Sequence, residues 1–173
     1  GLNTPAKFVI VKRKDFTGQW RTWHSSLSNT QGLNLNDGSS AFTDDSFNNT
    51  IPTDSVFSVN ANVANVNESN GEYLAYCWAE SDTQSFGEYI GTETEQTVEL
   101  GFAPAFVLIK SRTTSEQWYI YDTARQTDVN YPYLNANLSD AEGSTTSRNV
   151  VLTDSGFTIV GTDGAVNTNN LRY

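Results

Sequence analysis

Apolar residues fall in short runs along this chain. Phe8-Val9-Ile10-Val11 and Phe106-Val107-Leu108-Ile109 are continuously apolar, the pattern of central strands covered on both faces. No long window keeps apolar residues at i, i+3, i+4 and i+7, so helix signals are weak. Other β-rich runs are bounded by Gly, Asn, Asp and Ser. The pattern predicts strands over 7–12, 19–24, 33–36, 56–60, 72–79, 86–91, 96–100, 105–110, 117–122, 149–152 and 157–161. Within 72–79, Tyr73, Ala75, Cys77 and Ala79 point one way. Leu74, Tyr76 and Trp78 point the other, and this bulkier set is expected toward the core. Many short strands with frequent turns predict an all-β fold, a jelly-roll-like β-sandwich.

The pattern repeats. Phe8 to Lys12 matches Phe106 to Lys110 at an offset of 98, which also pairs Gln19-Trp20 with Gln117-Trp118 and Trp23 with Tyr121. Leu35-Asn36 aligns with Leu134-Asn135 at 99. Thr53-Asp54-Ser55, Phe57, Val66, Asn67, Asn70 and Tyr73 recur at 100 as Thr153-Asp154-Ser155, Phe157, Val166, Asn167, Asn170 and Tyr173. Small insertions in loops account for the drift. A period near 100 residues is domain-sized, too long for a solenoid. The expected organisation is two tandem copies, 1–100 and 101–173, the second lacking its last strand. The first copy continues past Tyr73 through Leu74 to Glu80, and the second reaches only Tyr173. With no Met anywhere and a first residue matching Gly101, the chain reads as part of a longer polypeptide.

Composition narrows the function. Charged residues make up 17%, below the roughly 25% of ordinary soluble domains, so Asn, Ser and Thr, 56 of 173, must supply the polar surface. A net charge of -10, without a basic stripe, disfavours nucleic acid and anionic membrane surfaces. One cysteine, Cys77, permits no intrachain disulfide and no cysteine-based zinc site. It reads as a small core residue.

Candidate chemistry is sparse. His24, the only histidine, corresponds to Asp122 in the second copy, so the unit does not require imidazole there. It reads as a strand end and not as a general base, which would need a partner held nearby. No Ser or Cys lies in a nucleophile-elbow context, and the expected class is non-enzymatic, with no catalytic residue and no cofactor. Asp54 and Asp154 recur before a strand. An Asx-turn is the plain reading, with calcium coordination as its alternative. Trp20 and Trp118 share a strand face with Thr22 and Ile120, and that face is assigned to the core. Arg21, Trp23, Tyr119 and Tyr121 lie on the opposite face and are the binding candidates, since exposed aromatic patches mark interaction sites.

Several motifs occur in order: Gly101 to Pro104, Phe106 to Lys110, Trp118 to Arg125, Thr153 to Phe157, and Tyr73 to Ala79. Together they resemble a repeat domain of virion structural and tail-fibre proteins of tailed phages, especially marine and cyanobacterial ones. The first copy departs from the pattern: its opening is longer, and His24 replaces the Asp of Tyr-Asp. The resemblance implies location on the virion, with display toward the host surface. The implied partners are copies of the chain and other virion proteins. The rival expectation is a carbohydrate-binding adhesin module that meets a host-surface glycan through an aromatic face.

Overall fold

The computed structural model describes residues 2–127 and 131–173. The fold is all-β. In chain order the strands are β1 (Phe8–Arg13), β2 (Trp20–His24), β3 (Gln31–Asn34), β4 (Phe42–Thr43), β5 (Tyr73–Trp78), β6 (Gln96–Glu99), β7 (Phe106–Lys110), β8 (Trp118–Asp122), β9 (Leu134–Asn135), β10 (Val150–Leu152) and β11 (Gly156–Ile159). Every pairing between them is antiparallel. The expected strands over 56–60 and 86–91 do not form, and β4 and the two-residue β9 were not anticipated.

The chain divides into two compact units, Gly1–Asn36 with Ala41–Gly87, and Asp37–Ser40 with Glu88–Tyr173. The divide falls at 87/88 and not at the 100/101 boundary expected from the repeat offset. The reason is packing: residues 88–100 bring Tyr89, Val98 and Leu100 against the second core.

The first unit holds one sheet in the order β4-β3-β2-β1-β5. β1 is paired on both edges, with Val9 opposite Trp23 on one side and Cys77 on the other. Its core gathers Ala6, Val9, Val11, Trp23, Phe47 and Val66, with Phe57, Val59, Val63, Tyr73 and Cys77 packed against it. On the other face Phe8, Ile10 and Thr22 are also buried. β1 is therefore covered on both sides, as its unbroken apolar run predicts.

The second unit holds two sheets, β7-β8-β9 and β10-β11-β6. They share one core: Val107, Ile109, Tyr119 and Tyr121 from the first meet Val150, Leu152, Phe157 and Ile159 from the second. β7 lies at the edge of its sheet and leaves Phe106 exposed. The apolar run alone therefore overstated its coverage.

The same contacts close both units. β7 pairs with β8 in the register of β1 with β2, placing Val107 opposite Tyr121 as Val9 lies opposite Trp23. Tyr73 Oη donates to Ala64 O (3.0 Å) and accepts from Glu68 N (2.8 Å). Tyr173 Oη donates to Gly164 O (3.0 Å) and accepts from Thr168 N (2.9 Å). Asn70 and Asn170 both adopt φ 62°, in the left-handed region that Asn tolerates best after Gly. Asn36 and Asn137 cap the same place, accepting Trp20 N (2.8 Å) and Trp118 N (3.0 Å). The ladders put Leu33-Asn34, not Leu35-Asn36, in the place of Leu134-Asn135. The Leu-Asn-Leu-Asn run offers both alignments, and pairing selects one.

Residues 57–59 match β11 in sequence but form no strand. β11 lies between β10 and β6, whereas no segment of the described residues lies beside 57–59 as β6 does. Without ladder partners on its edges a short strand is not stable.

Candidate functional site

The face expected to be an exposed aromatic surface is inside the molecule. Trp23 is 2% exposed, Tyr119 2% and Tyr121 1%. Val9, Val11, Val107 and Ile109 project to this same side, and loop residues such as Phe47, Val66 and Val166 close over it. The tyrosine hydroxyl is accommodated by hydrogen bonding, since Tyr121 Oη donates to Arg148 O (2.8 Å). Burial pushes the Tyr121 phenol well up and Tyr119 up to about 12. The opposite assignment fails in part as well. Trp118 is buried, but Trp20 is only half-buried.

Arg21 is half-buried and held by its own neighbours. Its Nη1 donates to Asn34 Oδ1 (2.8 Å), its Nε lies 3.8 Å from Asp44 Oδ1, and its guanidinium stacks 4.9 Å from the Phe42 ring. Asp44 Oδ1 accepts Ser46 N and Ser46 Oγ. This polar knot braces β2, β3 and β4. Arg21, Trp23, Tyr119 and Tyr121 therefore serve packing in their own units.

An accessible aromatic row lies elsewhere, on the outer face of β5. Tyr73 and Cys77 pack on the core, so the bulkier set Leu74, Tyr76 and Trp78 points outward, opposite to expectation. The small residues turn inward because loop-borne Phe47, Phe57 and Val66 already fill the core side. Tyr76 and Trp78 stack with ring centres 6.1 Å apart and planes 18° apart. Trp78 meets Phe8 at 5.5 Å, and Phe8 stacks on Phe86 at 6.2 Å. His24 packs edge-on to Phe8, and its Nδ1 accepts Ser26 N (3.0 Å). The imidazole is thus part of an aromatic row. Leu74 and Tyr76 are the most open members, at 47% and 42%. Alternation places these side chains together, but which face closes is decided by the loops.

The Thr53-Asp54-Ser55 turn is built by the threonine and not by the aspartate. Ser55 N and Val56 N donate to Thr53 Oγ1, and Gly156 N donates to Thr153 Oγ1. Asp54 accepts from Ser55 Oγ (3.2 Å). Among the described residues no three His, Cys, Asp or Glu side chains gather as metal ligands would. The Cys77 thiol is pushed up by burial, in keeping with a packing role. A shallow open depression is lined by Lys12, Lys14, Asp15, Phe16, Thr17, Gly18 and Trp20. Among the described residues no helix is long and apolar enough to cross a membrane.

All of residues 1–173 match the model of a family described as a domain of unknown function, DUF7483. The chain belongs to this family. No curated protein and no solved structure matches it. The family match spans both units, so the DUF7483 domain comprises the five-stranded sheet and the pair of three-stranded sheets alike.

Proposed function

We propose that this DUF7483 domain is a non-enzymatic structural module of a tailed-phage virion, in a fibre or a capsid or tail decoration, that assembles with its own kind and is displayed toward the host. The reading takes the two units as tandem copies of one β-sandwich module. The observation that carries it is the recurrence of the tyrosine lock, Tyr73 on Ala64 and Glu68, Tyr173 on Gly164 and Thr168. Two halves that close on the same backbone atoms suit a protein whose work is repetition and mechanical display. A net charge of -10 and a surface rich in Asn, Ser and Thr suit a protein present in many copies, because like charge keeps copies soluble before assembly. The resemblance of its motif order to phage fibre repeats supports the virion location. Immunogold electron microscopy of purified particles encoded by the source genome tests it. The expected label decorates an appendage or the capsid surface. Particles without label, with the protein confined to host-cell fractions, would overturn the reading.

The Tyr76–Trp78 stack favours a second reading, a carbohydrate-binding module. Paired aromatic faces at the surface are platforms on which apolar faces of sugar rings stack. Glycan-array binding separates the two readings.

A further inference from the structure

The first unit carries the one Asn-Gly pair of the sequence, Asn70-Gly71. Asn is among the thermolabile residues. Its weakness is chemical, because the backbone nitrogen that follows can attack the side-chain amide. A residue with a Cβ crowds that approach, whereas Gly does not. Glu68 to Gly71 form a turn closed by Gly71 N donating to Glu68 O at 3.0 Å, with Asn70 at φ 62°. Thr168 to Leu171 form the same turn, closed by Leu171 N donating to Thr168 O at 3.1 Å, with Asn170 also at φ 62°. Both asparagines are exposed. The two turns thus match in closing bond, in Asn conformation and in exposure, and differ in the residue that follows Asn. Gly71 N spends its N–H on Glu68 O, so attack waits on opening of the turn. Surface turns belong to the low-stability end of a fold, where such opening costs little.

We infer that Asn70-Gly71 is a self-modifying site that deamidates in the folded protein and loosens the entry to β5. The Gly71 nitrogen gives its proton to solvent and attacks Cγ of Asn70. The Cγ–Nδ2 bond breaks, and the side-chain nitrogen takes a proton back from solvent and leaves as ammonia. The product is a succinimide ring. Water then opens the ring at one of its two carbonyls. Attack at Cγ leaves aspartate, and attack at the main-chain carbonyl leaves isoaspartate. One water is consumed and one ammonia released. Either product adds a negative charge. Isoaspartate also routes the main chain through the side chain, lengthening it by one methylene. That extra length falls inside the tyrosine lock, where Tyr73 Oη reaches back across residue 70 to Glu68 N (2.8 Å) and Ala64 O (3.0 Å). Next to it, Glu72 N donates to Asp15 Oδ1 (3.2 Å), and Glu72 O accepts Lys14 N (2.8 Å), the first bond between the β1 and β5 segments. All of these contacts depend on the length of chain between Glu68 and Tyr73. The site goes beyond the proposed function and is independent of where the protein resides.

The test stores the full chain for weeks in neutral and in mildly alkaline buffer. Peptide mass spectrometry then maps deamidation, with isoaspartate labelled by its methyltransferase. The expected result is a gain of one mass unit at Asn70 at least tenfold faster than at Asn170, faster in the alkaline buffer, with isoaspartate as the main product. Amide hydrogen exchange of the aged chain should be at least tenfold faster at Glu68 and unchanged at Thr168. Asn70→Gly, which suits the positive φ, should remove both effects. Deamidation at Asn70 no faster than at Asn170 would overturn the inference. So would a product that is aspartate alone, which means direct hydrolysis without a succinimide. Reaction in the urea-unfolded chain but not in the folded one would show that the turn protects the site, and equally overturn it. Isoaspartate that accumulates without any change at Glu68 would refute the loosening of β5. Absence from virions would leave all these readouts intact, so the two ideas fail separately.

Discussion

Asn67 and Asn167 hold the same place in the same turn, yet one is exposed and the other is completely buried. Asn67 N donates to Val63 O (2.8 Å) and Asn167 N to Asp163 O (2.9 Å). The Asn167 amide fills all its valences: Oδ1 accepts Thr92 N (2.9 Å) and Gln96 Nε2 (2.6 Å), and Nδ2 donates to Thr94 O (2.8 Å) and Gly161 O (2.9 Å). Thr92 and Thr94 lie in the segment leading into β6, and Gln96 is its first residue. In the first unit no described segment does this for Asn67. Asn167→Ala should therefore destabilise the second unit by about 3 kcal/mol, since several buried groups lose their partner. Asn67→Ala should stay within about 0.5 kcal/mol, as for surface changes generally. Denaturant unfolding of the two variants compares them, and equal losses would contradict the burial difference.

Phe8 and Phe106 diverge for the corresponding reason at the other edge. Phe8→Ala removes a ring packed among Trp78, Phe86 and His24 and should cost about 3–5 kcal/mol. Phe106→Ala should cost less than about 1 kcal/mol in the chain alone. A large loss at Phe106 would mean that its ring is covered in solution.

The two tyrosine locks can be weighed by removing one oxygen. Tyr173 is buried, so Tyr173→Phe leaves Thr168 N–H and Gly164 C=O poorly hydrated and should cost about 1–2 kcal/mol. Tyr73 is more open, and water can replace its hydroxyl, so Tyr73→Phe should cost about 0.5–1 kcal/mol. The order of the two losses, read from chemical denaturation midpoints, is the check.

Stability should depend on pH through Lys110 and the buried tyrosines. Lys110 is buried, with Nζ donating to Ser111 O (2.7 Å). Burial lowers its pKa to about 8, against the opposing pull of the Glu116 and Asp37 carboxylates. The unfolded chain keeps that proton up to the ordinary value of 10.5. Between the two values the unfolded state binds more protons, so stability rises with pH through this window. Tyr119 works the other way. Its folded pKa is pushed up to about 12 from 10.0, so stability falls as pH climbs through that range. Urea titrations across pH 8 to 12 should show a rise and then a fall, the rise absent in Lys110→Met and the fall reduced in Tyr119→Phe.

If sugars bind, they bind on β5. Tyr76→Ala and Trp78→Ala should abolish any glycan-array signal. Conservative changes at the buried Trp23 and Tyr121, such as Trp23→Phe and Tyr121→Phe, should preserve it. A signal that survives loss of both β5 rings would remove this surface from consideration.

The all-β class was legible because propensity and punctuation are local: β-branched and aromatic runs broken by Gly, Asn and Asp leave no helical stripe to bury. Single recurring contacts were legible too, since Tyr73 and Tyr173 each meet backbone groups nine and five residues before them. Which face of each strand is the core was not. In Trp20 to His24 and Trp118 to Asp122 both faces carry large residues, and alternation sorts side chains into two sets without saying which set the loops will cover. Phe47, Val66 and Val166, distant in sequence, decide that, burying Trp23 and Tyr121. The same holds along β5, where Tyr76 and Trp78 end outside. Tertiary pairing also decides whether a segment becomes a strand. Gly156–Ile159 is one because β6 lies beside it, while its counterpart at 56–59 has no such neighbour among the described residues. A sequence specifies what each segment can bury and bond. The presence of a partner, a matter of long-range pairing, decides whether it does so.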